Sequence, residues 1–299
     1  AIEVAKRIVD NCNSWVMCML LGIFISSLTH ASDIADAAMV GDFEQVDVLI
    51  SQGIDVNEPQ VDGNTALHWA ARFDDLDMAS RLMTAGADVA AVNRVLAPPM
   101  LLAAINGSAE MIKLFLDHGA DPNAPLSQTG DTPLMIAART GLAEAVTVLL
   151  DANADVNTRE SWGGGTALMY AVSEGHRNVA AILIQEGAEV DARTAFIPRN
   201  TGRGLRFEGL PPRARLPDEI GPQIHTSGEM TPLLITAREG HLDTVRLMIE
   251  SDADINARAA DGKDALSLAI YNGNYAVASL LVDSGADLNQ ADAMGFTAL

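Results

Sequence analysis

A motif of about 33 residues recurs along most of the chain, and this repetition constrains the fold more than any other feature of the sequence. Clear copies begin as "GNTALHWAA" at Gly63, "GDTPLMIAA" at Gly130 and "GGTALMYAV" at Gly164. The equivalent positions, which follow one another at this period except between the fourth and the fifth, are Thr65, Pro98, Thr132, Thr166, Thr231, Asp264 and Thr297. A fixed period of this length is typical of supersecondary units that stack side by side and bury one continuous core.

Each copy carries the signals of two short helices and a closing turn. The pair Thr132-Pro133 predicts a helix start, because Thr caps the first free amides and Pro suits the first helical turn. Gly141 predicts the end of that helix, since glycine adopts the left-handed conformation without strain. Val146 and Leu149 then follow at helical spacing and predict a second helix. A turn such as "ADVN" (154–157) completes the unit.

These repeats resemble the ankyrin-repeat family, over residues 32–299. The resemblance implies an all-α solenoid of antiparallel helix pairs with projecting β-hairpin loops, comprising about seven repeats and a truncated eighth. More narrowly, the chain resembles exported bacterial ankyrin-repeat proteins. Residues 32–58 lack the usual Thr-Pro-Leu opening and are expected to form an N-terminal cap. The stretch "GFTAL" (295–299) is interpreted as the start of repeat 8.

Two departures interrupt the series. The interval from Thr166 to Thr231 is nearly two periods, but residues 195–228 contain five Pro and five Gly and lack helical periodicity. We therefore predict one long inserted loop between repeats 1–5 (32–194) and a second block (229–299) that holds repeats 6–7 and the start of repeat 8. In the third repeat "LAPPML" (96–101) replaces Gly-x-Thr-Pro-Leu, which predicts a distorted hairpin before it.

The N-terminal segment has the features of an export signal. Lys6 and Arg7 precede an apolar run at positions 15–28, and "THA" (29–31) follows as a small-residue cleavage pattern. A transmembrane helix needs about 20 apolar residues, so the run is short for a stable span. We predict a signal peptide (1–31) cleaved after Ala31 and a periplasmic or secreted product without stable membrane insertion. A buried or membrane-surface helix is the alternative.

The charge balance and the cysteines narrow the classes of function. With 40 acidic against 19 basic residues and a net charge of −21, the chain should be repelled by nucleic acid and by anionic membranes. Both cysteines, Cys12 and Cys18, lie in the predicted signal, so a disulfide, a zinc-thiolate site and a cysteine nucleophile are excluded from the mature chain. The expected partner is a protein, and the mature chain is expected to be a monomer.

Catalytic constellations are not evident in the sequence. His68, His118, His176 and His241 lie at positions where ankyrin repeats commonly carry histidine, and a metal site would need two or three of them to converge. Two pairs of adjacent acidic residues, Asp74–Asp75 and Asp218–Glu219, lie in turn-like segments. Carboxylates in such segments are far more often solvated surface groups than catalytic acids or bases. We therefore predict a protein that is not an enzyme and that needs no cofactor or metal.

In the ankyrin family, partners bind the hairpin tips and the exposed positions of the first helix of each pair. Carried onto this sequence, those positions give the following candidates: Asn64, Trp69, Arg72, Phe73, Asp131, Arg139, Trp162, Tyr170, Glu174, Arg238, Glu239 and Tyr271. Aromatic and arginine side chains are frequent anchors of interfaces. Trp69 and Tyr170 share one repeat position, where packing between first helices and partner binding are equally good interpretations. For Trp162 and Phe73 the partner-binding interpretation is the favoured one.

The insert is basic although the chain is acidic. Its candidate contact residues are Arg199, Arg203, Arg206, Phe207, Arg213 and Arg215. It is either a surface loop without a role or a finger whose arginines meet the acidic scaffold or an acidic partner. Nucleic-acid binding is a weaker interpretation, because five arginines on so negative a body give only salt-sensitive attraction.

Together these features predict a non-catalytic scaffold that binds a protein partner on the concave ankyrin face, modulated by the basic insert. An alternative is an inhibitory or protective module for an exported enzyme or toxin. A third hypothesis is an enzyme whose site is built in the insert, where Glu208 and His225 would have to converge.

Overall fold

The computed structural model describes residues 33–195 and 228–298, and within these ranges the chain is all-α, as predicted. The described residues form fourteen helices, and their only strand-like feature is an isolated bridge between Arg258 and Asp264. The helices are α1 (Asp33–Val40), α2 (Phe43–Ser51), α3 (Ala66–Arg72), α4 (Leu76–Thr84), α5 (Pro99–Asn106), α6 (Ala109–Asp117), α7 (Pro133–Thr140), α8 (Ala143–Asp151), α9 (Ala167–Ser173), α10 (Arg177–Gln185), α11 (Pro232–Glu239), α12 (Leu242–Glu250), α13 (Ala265–Tyr271) and α14 (Tyr275–Asp283).

The chain divides into two compact units, Ala1–Leu102 and Ala103–Leu299. In the first unit α1 packs against α2 and α3, and α3 packs against α4. In the second unit the first helices α7, α9, α11 and α13 form one layer, and the second helices α6, α8, α10, α12 and α14 form another. Contacts within a helix pair and between equivalent helices of neighbouring repeats therefore build each unit.

The core of each unit is built from small and aliphatic residues. In α7, Ala137 and Ala138 are fully buried beside Leu134, so neighbouring first helices approach closely. The second-helix layer contributes larger side chains such as Phe115 and Leu149, which are also inaccessible to solvent. Burying a side chain of this size contributes roughly 1.5–3 kcal/mol to folding.

The helix starts and ends follow the local signals in the sequence. Thr132 Oγ1 accepts a hydrogen bond from Met135 N at 3.3 Å, and Thr231 Oγ1 accepts one from Leu234 N at 3.3 Å. At the other end of α7, Gly141 has a φ of 79° and closes the helix in the left-handed conformation. The predicted caps are thus present, and they help to hold these short helices in place.

Asparagine side chains after the second helices link successive repeats. Asn157 Oδ1 accepts a bond from Glu189 N (2.9 Å), and Asn157 Nδ2 donates one to Gly187 O (3.0 Å). Asp191 holds the equivalent position in the next repeat, where its carboxylate accepts from Asp254 N at 3.1 Å. Because a carboxylate has no N–H group, Asp191 cannot supply the second of these bonds.

The hairpins before the first helices are joined by a repeated backbone hydrogen bond. The second residue of a hairpin donates its amide hydrogen to a carbonyl at the tip of the preceding hairpin. The bonds are Arg94 N to Asp62 O (3.0 Å), Ser161 N to Thr129 O (2.7 Å), Ala195 N to Gly163 O (2.7 Å), Ala260 N to Gly228 O (3.1 Å) and Ala293 N to Asp261 O (3.0 Å).

The two ends of the predicted insert meet at the base of one hairpin. Thr194 N donates to Met230 O at 3.0 Å, and Glu229 N donates to Thr194 O at 3.2 Å. Ala195 and Gly228 also keep the tip-to-tip bonds of an ordinary hairpin. The residues between them, 196–227, lie outside the described residues, so the boundaries of the insert stay a prediction.

The hairpin of residues 93–97 corrects the sequence interpretation, which expected a distortion there. Asn93 N donates to Ala97 O (3.2 Å) and Leu96 N donates to Asn93 O (2.9 Å), the same pattern as in residues 60–64. Leu96 takes the place of glycine with a φ of 62°. Asn93 Oδ1 accepts bonds from Val95 N and Ala97 N, and these offset the strain of a left-handed leucine.

Candidate protein-interaction site

Trp162 stands at the tip of the hairpin of residues 160–165, and the residue is 77% exposed. The backbone beneath it is held by Glu160, which is only 7% exposed. Glu160 Oε2 accepts from Trp162 N at 2.6 Å, while Oε1 accepts from Gly163 N at 2.6 Å and Gly165 N at 3.0 Å. A buried carboxylate therefore fixes the loop that presents an exposed indole ring, which lowers the entropic cost of binding there.

A polar cluster lies on the adjoining hairpin and first helix. Asp131 Oδ2 accepts from Ser127 Oγ (2.6 Å) and Thr129 Oγ1 (2.5 Å), and Asp131 Oδ1 accepts from Tyr170 OH (3.1 Å). The Tyr170 ring is half-buried, and the Arg139 guanidinium lies 5.8 Å from its centroid. The cluster therefore combines side chains from the two repeats that meet at this hairpin.

The surroundings of Asp131 and Tyr170 determine which of the two side chains carries the proton. Burial acts to raise the pKa of Asp131. The opposite effect is larger and holds this pKa below its usual value; it comes from hydrogen bonds donated by Ser127, Thr129 and Tyr170 and from the positive charge of Arg139. Burial and the neighbouring Asp131 carboxylate raise the pKa of Tyr170 to about 12. The pair is therefore a neutral phenol donating to a charged carboxylate at physiological pH.

Tyr271 lies at the end of α13 and is 80% exposed. Lys263 Nζ sits 5.5 Å from the centroid of its ring. A hydrogen bond to Asp261, at 2.8 Å, raises the pKa of Lys263 despite partial burial. This ammonium therefore lies within the range of about 6 Å that is typical of cation–π contacts, and it is also bonded to one carboxylate.

The first unit carries its own pair of neighbouring aromatic side chains. Trp69 Nε1 donates to Gln60 Oε1 at 2.7 Å, and its ring stacks on Phe73 with centroids 5.9 Å apart and planes 25° apart. Arg72 lies 5.8 Å from the Trp69 ring. Trp69 is intermediate in exposure, whereas Phe73 is 54% exposed. The packing and binding interpretations of Trp69 and Tyr170 are both compatible with this geometry.

The remaining candidates have simpler surroundings. Asn64 Nδ2 donates to Asp62, and its Oδ1 accepts from Asn93 Nδ2 at 2.9 Å, so this side chain joins two hairpins. Glu174 is exposed at the C-terminal cap of α9. Arg238 and Glu239 form an exposed ion pair at 2.8 Å. The insert candidates all lie outside the described residues; they are Arg199, Arg203, Arg206, Phe207, Arg213 and Arg215.

Several described histidines bond to backbone carbonyls. His68 is buried, its Nδ1 faces Thr65 N at 3.1 Å and its Nε2 faces Ala97 O at 3.0 Å. Because Nδ1 accepts there, Nε2 carries the proton; burial lowers the pKa of this ring against the opposing effects of Ala97 and Asp62. His176 Nε2 meets Arg139 O (3.0 Å) and His241 Nε2 meets Ser173 O (2.9 Å).

Metal-binding clusters and membrane-spanning helices are absent from the part of the chain that the structure describes. In residues 33–195 and 228–298, no group of three or more His, Cys, Asp or Glu side chains is arranged to hold a metal ion. Within those same ranges, no helix has both the length and the apolar character needed to cross a membrane.

Sequence reasoning missed three residues that organise these surfaces. Glu160, Gln60 and Ser127 all sit in hairpins, where polar residues are expected for solubility alone. Only Glu160 had a usable signal, since an acidic residue shortly before a Gly-Thr pair can reach forward to the amides of the hairpin tip.

The comparisons with known proteins agree with this architecture. The pattern described as "Ankyrin repeats (3 copies)" matches residues 100–194 and 216–292, and "Ankyrin repeats (many copies)" matches residues 34–83. The ankyrin repeat domain of Bcl-3 superposes with a TM-score of 0.61 at 25% identity, covering 79% of this chain and 93% of that one. The ankyrin repeat domain of human ASB11 superposes with a TM-score of 0.66 at 24% identity, covering 86% and 99%.

Curated relatives match over shorter stretches. Palmitoyltransferase ZDHHC13 of Homo sapiens is 36% identical over 91 residues, which is 30% of this chain and 15% of the relative. Zygote-specific protein 3 of Chlamydomonas reinhardtii is 42% identical over 79 residues, which is 26% of this chain and 21% of the relative. The aligned part thus spans about a fifth or less of these relatives. From the matched repeats and the superposed structures, the chain belongs to the ankyrin-repeat family, whose repeats generally mediate protein–protein interaction and are typically non-catalytic.

Proposed function

We propose that this chain is a non-catalytic interaction module that binds a protein partner through its hairpin tips and the exposed faces of its first helices. The observation that carries the proposal is Trp162, a large aromatic ring exposed on a tip whose backbone is already fixed by Glu160. Exposed aromatics on preorganised backbone are frequent hot spots, because they bury large areas at small entropic cost.

The surroundings of Trp162 support a specific surface. Ser161 N and Ser161 Oγ both bond to Thr129 O, so the Trp162 hairpin is tied to the hairpin that carries Asp131. A partner that covers the indole would also meet a charged carboxylate and the cation–π pair of Arg139 and Tyr170. Such a mixture of an apolar anchor and rim charges is typical of transient protein interfaces.

Affinity capture with the Trp162→Ala variant tests this function. The full chain serves as bait in an extract of its source organism, and captured proteins are quantified by mass spectrometry. We expect the specific partner to fall at least about tenfold, since hot-spot truncations cost about 2 kcal/mol or more. Tyr275→Ala is the matched control, because Tyr275 is 72% exposed but lies on a second helix. Equal recovery with both variants would refute the proposed surface.

We also propose that the basic insert modulates binding. The support is its five arginines and its junction at Thr194 and Met230, on the hairpin that follows the one carrying Trp162. Replacing the five arginines with glutamine should change the affinity for the captured partner while leaving the helical circular dichroism intact. An unchanged affinity, measured by titration calorimetry, contradicts this role.

We also propose that the protein is exported, and that the exported product is a monomer. It rests on Lys6, Arg7 and the apolar run of residues 15–28. Mass spectrometry of the protein from the extracellular or periplasmic fraction should find an N-terminus at Ser32. A product that retains residues 1–31 in that fraction contradicts cleavage, and light scattering of the same sample measures the oligomeric state.

A further inference from the structure

Three aromatic rings on the first helices lie close to a cation of the same chain. The pairs, with the distance from the cation to the ring centroid, are Arg72 and Trp69 (5.8 Å), Arg139 and Tyr170 (5.8 Å), and Lys263 and Tyr271 (5.5 Å). Distances below about 6 Å are typical of cation–π attraction, in which the negative face of the ring holds a positive group. Each of these three rings therefore has one face engaged within the chain.

The Trp162 ring differs from these three. Among residues 33–195 and 228–298, no Lys or Arg lies over it, although the Trp162 residue is 77% exposed. Glu160 Oε2 accepts from Trp162 N, so the ring projects from a hairpin tip whose backbone is already fixed. Indole attracts cations more strongly than the rings of Tyr and Phe do. The tip thus presents an available cation-binding face in a preformed position.

The charges around the tip favour a positive ligand. Glu160 is 7% exposed, and its carboxylate forms no ion pair within the described ranges. Burial is the main cause of the raised pKa of Tyr170; the charges of Asp131 and Glu160 act in the same direction, and Arg139, the smallest cause, opposes them. The two carboxylates therefore outweigh the guanidinium at this surface, and salt screens the buried charge of Glu160 less than an exposed one.

We propose that the Trp162 ring binds an arginine side chain of the protein partner, whose guanidinium stacks on the indole. This inference rests on the proposed function and names the chemistry of the partner's contact. Arginine is favoured over lysine, because its planar guanidinium stacks on aromatic faces and is more weakly hydrated than an ammonium. Arg72 and Trp69 show the same combination within this chain. The carboxylates of Glu160 and Asp131 keep all their hydrogen bonds and attract the arginine only through their charge.

Titration with an arginine peptide tests the inference. The full chain is labelled with ¹⁵N, and the indole N–H signal of Trp162 is followed while acetyl-Gly-Arg-Gly-Arg-Gly-amide is added. We expect a saturable shift of this signal. The same peptide with citrulline, a neutral isostere, in place of arginine should bind at least about fivefold more weakly. Trp69 is an internal reference, because its ring is already paired with Arg72 and its indole signal should shift less.

Two variants of the chain complete the test. Trp162→Leu keeps an apolar side chain at the tip without the ring, and it should abolish the preference for arginine over citrulline. Tyr275→Ala on α14 should leave the affinity for the arginine peptide unchanged. No shift at Trp162, equal affinities of the two peptides, or a preference that survives in Trp162→Leu overturns the inference. Binding that appears only after the five insert arginines are replaced with glutamine also overturns it, because the insert then occupies the ring.

Failure of this inference is distinguishable from failure of the proposed function. If Trp162→Ala loses the captured partner but the two peptides bind the unchanged chain equally, the arginine contact is refuted and the interaction surface is retained. If the peptides differ but Trp162→Ala recovers the partner as well as Tyr275→Ala does, the proposed function is refuted, and this inference is refuted with it because it depends on that partner.

Discussion

Replacement of Glu160 tests whether a buried carboxylate holds the Trp162 hairpin. Its two oxygens accept three backbone amide hydrogens, at 2.6, 2.6 and 3.0 Å. A hydrogen bond to a charged group contributes about 1.5–3 kcal/mol, but the hairpin borders solvent, so water would replace part of each lost bond. We therefore expect Glu160→Ala to lower the free energy of unfolding by about 3 kcal/mol. Glu160→Gln keeps one carbonyl oxygen but points an N–H₂ group at one of the amides, and it should cost about half as much.

Urea denaturation followed by far-ultraviolet circular dichroism measures these differences. Hydrogen exchange at Trp162 and Gly163 adds a local measurement, since both amides lose their acceptor in Glu160→Ala. Glu174→Gln is the control, because this exposed residue at the end of α9 should change stability by less than about 0.5 kcal/mol. Equal free energies for Glu160→Ala and Glu174→Gln, with unchanged exchange at the two amides, would refute the structural role assigned to Glu160.

Three further changes probe other contacts. Tyr170→Phe should cost about 1 kcal/mol at neutral pH. The pKa of Tyr170 is raised from 10.0 to about 12, so the tyrosine hydroxyl stabilises the fold fully below pH 10 and loses this effect as the pH rises toward 12. Urea denaturation of the unchanged chain and of Tyr170→Phe across this range should therefore show the difference between their free energies of unfolding becoming smaller. Asp191→Asn should raise the free energy of unfolding by about 1 kcal/mol by restoring the missing donor, and Asn157→Asp should lower it by a similar amount; opposite or absent effects in thermal melts contradict this interpretation. Gly63→Ala should cost more than Gly53→Ala, because both glycines have positive φ but only Gly63 has backbone atoms within 3 Å of the added Cβ; equal losses in urea would show that crowding is unimportant.

The helical part of this fold follows from short-range patterns in the sequence. Thr132, Pro133 and Gly141 specify where α7 begins and ends, because a cap and a left-handed residue act within one turn of backbone. The fixed period of the repeats then predicts that equivalent units stack, since no single pair can bury its apolar face alone. The same reasoning failed at Leu96, where a side chain three positions earlier, Asn93, stabilises a conformation that leucine adopts only with strain.

The candidate surface could be predicted only in outline. Position in the repeat was enough to nominate Trp162, Tyr170 and Asp131, but not to show which of them bond to one another. Tyr170 and Asp131 are 39 residues apart, and their hydrogen bond exists because two repeats are held side by side by their buried helices.

The sequence alone determined the family and the helix pairs, because each depends on contacts between near neighbours repeated at a fixed period. The tertiary structure alone decided that Glu160 is buried beneath an exposed indole and that Asp131 stays charged beside a neutral Tyr170. The physical reason is that burial, hydrogen bonding and charge at these residues depend on which side chains the neighbouring repeats bring within about 3 Å, and a one-dimensional period does not specify those distances.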